Sequence, residues 1–167
     1  TDKINRTGIT VVLAPEGAVG GVAVMGGAPG TRETDLLKGC NAVDKVNAVV
    51  LSGGSAFGLE ASCGVMDFLA ERNIGFRAGN HVVPIVCSAV LFDLDYGTAV
   101  APDKRAGYLA CQNAAETFET GSVGAGTGAT VGKIAGMEHC QKGGLGTAEI
   151  RLGEAYVRCV VAVNALG

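Results

Sequence analysis

Across 167 residues, 48% are hydrophobic and only 17% charged, with a mean hydropathy of +0.34, so the chain is too apolar to be disordered and its length suits one domain with a sizeable core. The net charge of −3, with no run of like charge, lacks the basic footprint that a phosphate backbone requires, which excludes nucleic acid as an expected partner. No apolar run approaches the roughly 18 residues that span a bilayer, and no leader-like segment is evident; no membrane association and a cytoplasmic location are expected.

The segment 8–14, "GITVVLA", and the segment 20–27, "GGVAVMGG", are short glycine-bounded runs around the turn-like "PEGAV", which predicts an opening hairpin. "APGTRETDLLKGCNAVD" predicts a loop with one helical turn near Asp35 to Leu37. "VNAVVLS" then predicts a buried strand. Apolar residues at Phe57, Ala61, Val65, Phe68 and Leu69 have helical spacing and end before Gly75, giving strand, glycine turn and helix in succession. Pro84 interrupts "HVVPIVCSAVLFDLD", which suits an irregular entry to a strand at Ala89 to Leu94. "DKRAGYLACQNAAETF" predicts a second helix, and "GGLGTAEIRLG" and "AYVRCVVAVNALG" predict two closing strands. Strands at both ends with two helices between give a layered α+β domain. The 27 glycines, about twice the usual share of roughly 7%, fall between the apolar runs as tight turns and close backbone approaches. Six separated cysteines without a C-x-x-C pair read as buried thiols of a reducing compartment, with metal ligation not expected.

Several stretches invite a chemical reading. "SGGSAFG" has the strand–turn–helix setting of a nucleophile elbow around Ser55, but Phe57 stands where the second glycine of G-x-S-x-G belongs. The only histidines, His81 and His139, lie in no context that would set a base over Ser55. "GAGTGATVGK" fails the phosphate-loop pattern at Thr127 and Ile134, and it lacks the preceding strand of a dinucleotide fold; its loop amides, with Gly126 and Thr127, are candidate donors to a substrate. Lys104 and Lys133 sit beside glycines or prolines, where most lysines are solvated. Asn164 interrupts an apolar strand, and an unpaired buried amide would cost roughly 1–3 kcal/mol, so it needs a partner; an oxyanion or a turn at the strand end would each serve. Thr1 has the residue type of an N-terminal nucleophile but no strand directly behind it.

"GGAPGTRETDLL", "VNAVVLSGGSAFGLEA", "VGAGTGATVGK", "GGLGT" and "VAVNALG", in this order and spacing, resemble the self-processing L-aminopeptidase/D-esterase family of the DmpA type, which includes β-peptidyl aminopeptidases and nylon-oligomer hydrolases. The resemblance runs from near Gly8 to Gly167. It implies an αββα sandwich, shared with the ornithine acetyltransferases, made as one precursor that cuts itself so that a Ser or Thr begins a second chain. Residues 1–167 would then be a single-domain fragment, the larger α chain, completed by a separate β chain carrying the nucleophile. The absent initiator methionine and the apolar end at "CVVAVNALG" agree with a piece of something larger.

By the same resemblance, Asn164 matches an oxyanion-stabilising asparagine and Lys104 a lysine near the nucleophile in the nylon-hydrolase branch. Phe57 takes the place of that branch's tyrosine and is expected to line the substrate pocket, with the serines of "SGGSAFG" shaping the turn and not attacking. The implied function is an aminopeptidase or amidase acting without cofactor on N-terminal residues of short peptides, amides or esters, in a homo-oligomer of αβ units. The alternatives are acyl transfer of the ornithine acetyltransferase type and a non-catalytic small-molecule binding domain.

Overall fold

The computed structural model describes residues 1–167 as a mixed α/β chain. Strand β1 (Ile9–Val19) is followed by β2 (Thr31–Arg32) and β3 (Lys45–Ser52), then by helix α1 (Ala61–Ala70). A short hairpin of β4 (Phe76–Ala78) and β5 (His81–Val83) leads into β6 (Val86–Val90), and helix α2 (Lys104–Gln112) follows. The chain closes with β7 (Thr130–Val131), β8 (Gln141–Lys142), β9 (Leu145–Leu152) and β10 (Ala155–Ala162).

The central sheet has the order β1-β3-β6-β2, with β3 and β6 parallel and the outer pairs antiparallel. Both parallel strands are therefore internal, which is where β-branched runs such as "VNAVVLS" belong. One face carries Ile9, Ala48, Val50 and Val86, which pack against Ala61, Val65 and Leu69 of α1 and Cys111 of α2. On the other face Leu51 and Ala162 pack against a cluster of Leu91, Ala125 and Ala129, but Val12 and Val49 remain 47% and 40% exposed. That face is only partly covered.

The two helices cross at glycines: a Cβ on Gly64 would lie 1.7 Å from the Lys104 carbonyl oxygen, and one on Gly107 would lie 1.9 Å from that of Ala61. Phe68 and Tyr108 meet edge to face across the same contact, with the Arg72 guanidinium over the Phe68 ring. Asp103 caps α2 by accepting the Ala106 N–H at 2.8 Å, a contact worth about 1 kcal/mol.

Three expectations need correction. The opening hairpin does not form: β1 continues through Pro15 to Val19, and the ladder to β3 jumps from Leu13 opposite Ala48 to Ala18 opposite Val46. Pro15 falls within that bulge on an edge strand, where no ladder N–H is demanded, and residues 20–27 form no strand. The strand after Pro84 lies at Val86–Val90, not at Ala89 to Leu94, because the parallel register with β3 ends at Ser52 opposite Val90. Cys87 and Cys111 are buried, but Cys40 and Cys159 are exposed; Cys159 lies on β10, whose hairpin with β9 has no second layer over it.

Candidate active site

The turn after β3 is built around a carboxylate. Gly54 adopts φ +82° and Ser55 φ +54°, so the chain reverses through two left-handed residues before a 3-10 segment at Ser55–Glu60 runs into α1. Asp93, only 3% exposed, accepts the Gly54 N–H at 2.6 Å and the Thr7 hydroxyl at 2.7 Å. Its seat leaves no room for side chains: a Cβ on Gly53 or Gly128 would lie 2.1 or 2.4 Å from Asp93 Oδ2. The Ser55 N–H donates to the Leu91 carbonyl and the Leu91 N–H to the Ser52 carbonyl, which ties residues 91–93 to the turn. Sequence reading missed Asp93, since "FDLDYG" looks like an acidic loop and its partners are remote in the chain.

Asn164 lies just beyond β10. Its Oδ1 accepts the Phe92 N–H at 3.1 Å, while its Nδ2 makes no hydrogen bond within the chain, so the amide presents two N–H donors outward. The asparagine is exposed instead of interrupting a buried strand, and its partner is a backbone amide 72 residues away. Two residues on, the Leu166 carbonyl accepts the Ile134 N–H at 2.8 Å, which ties the segment that holds Lys133 to the chain beyond Asn164. Lys133 Nζ donates to the Thr130 carbonyl at 2.6 Å, and burial holds its pKa below the usual lysine range. An amide donor turned outward is an arrangement able to meet an oxyanion.

The other candidates lie elsewhere. Lys104 begins α2 and pairs with Asp67 of α1 at 2.6 Å; this hydrogen bond and charge raise its pKa. It belongs to the helical layer, whereas Ala162, just before Asn164, packs on the opposite face of the sheet. Phe57 is 73% exposed on the turn. Gly126 and Thr127 are buried, and their N–H groups donate to the carbonyls of Val123 and Gly124, so neither amide is free. Lys142 Nζ locks this loop by donating to the carbonyls of Gly126, Ala129 and Gly143. His81 and His139 are exposed. No three His, Cys, Asp or Glu side chains converge in a way that could hold a metal ion, and no helix is long and apolar enough to cross a membrane.

A cleft of about 780 Å³ runs along Gly8 and the first residues of β1, Ile9 to Val12, an edge strand with β3 as its one neighbour, and is walled by α2, Phe118, Val123 and Val160. At its end the Gly124 N–H donates to the Thr1 hydroxyl at 2.8 Å.

The profile of Peptidase family S58 matches residues 1–167. An uncharacterized aminopeptidase of Mycobacterium leprae (strain TN) is 48% identical over 170 residues, covering 96% of this chain and 45% of its own length. A 6-aminohexanoate-oligomer endohydrolase of Paenarthrobacter ureafaciens is 39% identical over 163 residues, covering 96% of this chain and 43% of its own. The chain thus spans about half the length of the curated relatives it matches. A crystal structure of a protein from Pyrococcus horikoshii OT3 superposes with a TM-score of 0.58 at 20% identity, over 98% of this chain and 42% of that one, which shows a related fold. With the family profile matched from end to end, this chain belongs to peptidase family S58.

Proposed function

We propose that the chain is the α part of a self-processing N-terminal-nucleophile hydrolase that removes N-terminal residues from short peptides, amides or esters. The carrying observation is Asn164, anchored through its oxygen to the Phe92 amide with its N–H donors turned outward, in a chain of family S58. The Ser or Thr hydroxyl of a separate β chain adds to the scissile carbonyl, and its own α-amine takes the proton. Charge develops on the carbonyl oxygen, where the Asn164 amide donates. Collapse breaks the C–N bond, the leaving amine takes the proton back, and water hydrolyses the resulting ester. We assign assistance of these proton transfers to Lys133, whose segment is tied to Leu166 and whose pKa burial lowers, with Lys104, held in its ion pair with Asp67, as the other candidate. The names of the relatives, an aminopeptidase and an endohydrolase of 6-aminohexanoate oligomers, support amide hydrolysis. Phe57, exposed on the turn, lines the substrate side.

Two surfaces support completion by a β chain into an αββα sandwich. At Val12 and Val49 one face of the sheet is left partly uncovered. On the β9–β10 hairpin the pairs Leu152/Ala155, Ile150/Val157, Ala148/Cys159 and Gly146/Val161 form one apolar face that is exposed throughout. An isolated two-stranded hairpin is marginal in water, and an apolar face of this kind calls for a covering layer. The αβ units assemble further as homo-oligomers, and the free cysteines suit the cytoplasm. The test is Asn164→Ala in the full-length protein with L-alanine p-nitroanilide: a fall in kcat of about 10²–10³ is expected, and an unchanged kcat refutes the assignment.

A further inference from the structure

We infer that Asp93 is a positioning residue that fixes the Asn164 oxyanion donor through the backbone of Phe92, an inference that rests on the proposed role of Asn164. The Phe92 N–H holds Asn164 Oδ1, and thereby aims Nδ2. Phe92 itself is 41% exposed, so its side chain does not anchor that amide. The anchor is the next residue. Asp93 is buried, and its two carboxylate oxygens take one donor each, from the turn at Gly54 and from the entering segment at Thr7.

The carboxylate is enclosed on further sides by Gly53 and Gly128, at positions where any Cβ would collide with it. The loop that holds Gly128 also carries Ala125 and Ala129, which pack on Leu91. Residues 91–93 are thus clamped from three separate segments of the chain, at Thr7, at the turn 52–55 and at the loop 125–129, and the clamp sets the direction of the Phe92 amide. Charge-assisted hydrogen bonds to a carboxylate are short and directional, so they fix an orientation as well as contributing stability. Loss of the clamp lets the Phe92 N–H wander and the Asn164 amide with it. Misplacement of a catalytic donor by about 1 Å costs up to about 100-fold in rate.

The experiment is a double-mutant cycle in the full-length protein: wild type, Asp93→Ala, Asn164→Ala and the double variant. Each is assayed with L-alanine p-nitroanilide for kcat and KM separately and normalised to the processed fraction seen by mass spectrometry. Asp93→Ala is expected to lower kcat about 10- to 100-fold with KM changed little, and to have almost no further effect once Asn164 is alanine. Asp93→Asn, which keeps the size and one acceptor, should restore most of the lost turnover. An equal factor from Asp93→Ala in both backgrounds, or no loss at all, overturns the inference. If Asp93→Ala does not fold, Thr7→Val removes one of the two clamps and is carried through the same cycle, with a few-fold loss expected only when Asn164 is present. If Asn164→Ala alone leaves kcat intact, the oxyanion assignment fails; if it lowers kcat but the effects stay additive, only the positioning role fails.

Discussion

Gly64→Ala places a methyl group where the Lys104 carbonyl oxygen already stands: the new Cβ would be 1.7 Å from that oxygen and 2.7 Å from the Tyr108 nitrogen. Both atoms are backbone, so no side chain can turn aside, and α2 must move away from α1. Overpacking against rigid backbone falls in the upper part of the usual range, about 2–3 kcal/mol, while alanine returns about 1 kcal/mol of helix propensity; the net loss is about 1–2 kcal/mol. Thermal denaturation of the full-length protein should show the melting temperature falling by roughly 2–8 °C. Gly107→Ala, which meets the Ala61 carbonyl oxygen at 1.9 Å from the other helix, should do the same. An unchanged or raised melting temperature for both variants would refute the close crossing.

Further outcomes follow from the two lysines and the buried thiols. Lys104→Met, which breaks only an exposed pair with Asp67, should leave kcat near wild type, whereas Lys133→Met should reduce it roughly tenfold or more, as measured on the same anilide. Burial raises the Cys111 pKa from 9.0 to about 11, so the unfolded chain ionises this thiol before the folded one does. Its contribution to stability is complete below pH 9.0 and is lost as pH rises toward about 11; a Cys111→Ala variant should show a shallower alkaline decline in chemical denaturation. Timed alkylation with peptide mapping should label Cys40 before Cys87 and Cys111, and equal rates would contradict the burial pattern.

Local patterns in the chain were legible where local forces decide the outcome. "VNAVVLS" followed by glycines and helical spacing from Phe57 announced β3, the turn and α1, and the alanine-rich segment after Asp103 announced α2. Pro15 misled because its usual role as a strand breaker does not apply inside a bulge on an edge strand. The limits of β6 are set by pairing with β3, 38 residues earlier, and no window around Pro84 contains that information. The same holds for the site. Asn164 stood out as a polar interruption, but its partner Phe92 and the Asp93 clamp are joined to it only by folding. Lys104 and Lys133 have similar local sequence settings; the ion pair with Asp67 and the hydrogen bond from Ile134 to Leu166 separate them.

Intact-mass spectrometry and N-terminal sequencing of the mature protein, produced from its complete coding sequence, show whether the precursor is cut and which residue begins the second chain. Two polypeptides are expected, the smaller beginning with Ser or Thr, that copurify and lose anilide hydrolysis when separated. One uncut polypeptide that retains full activity would contradict the proposed self-processing.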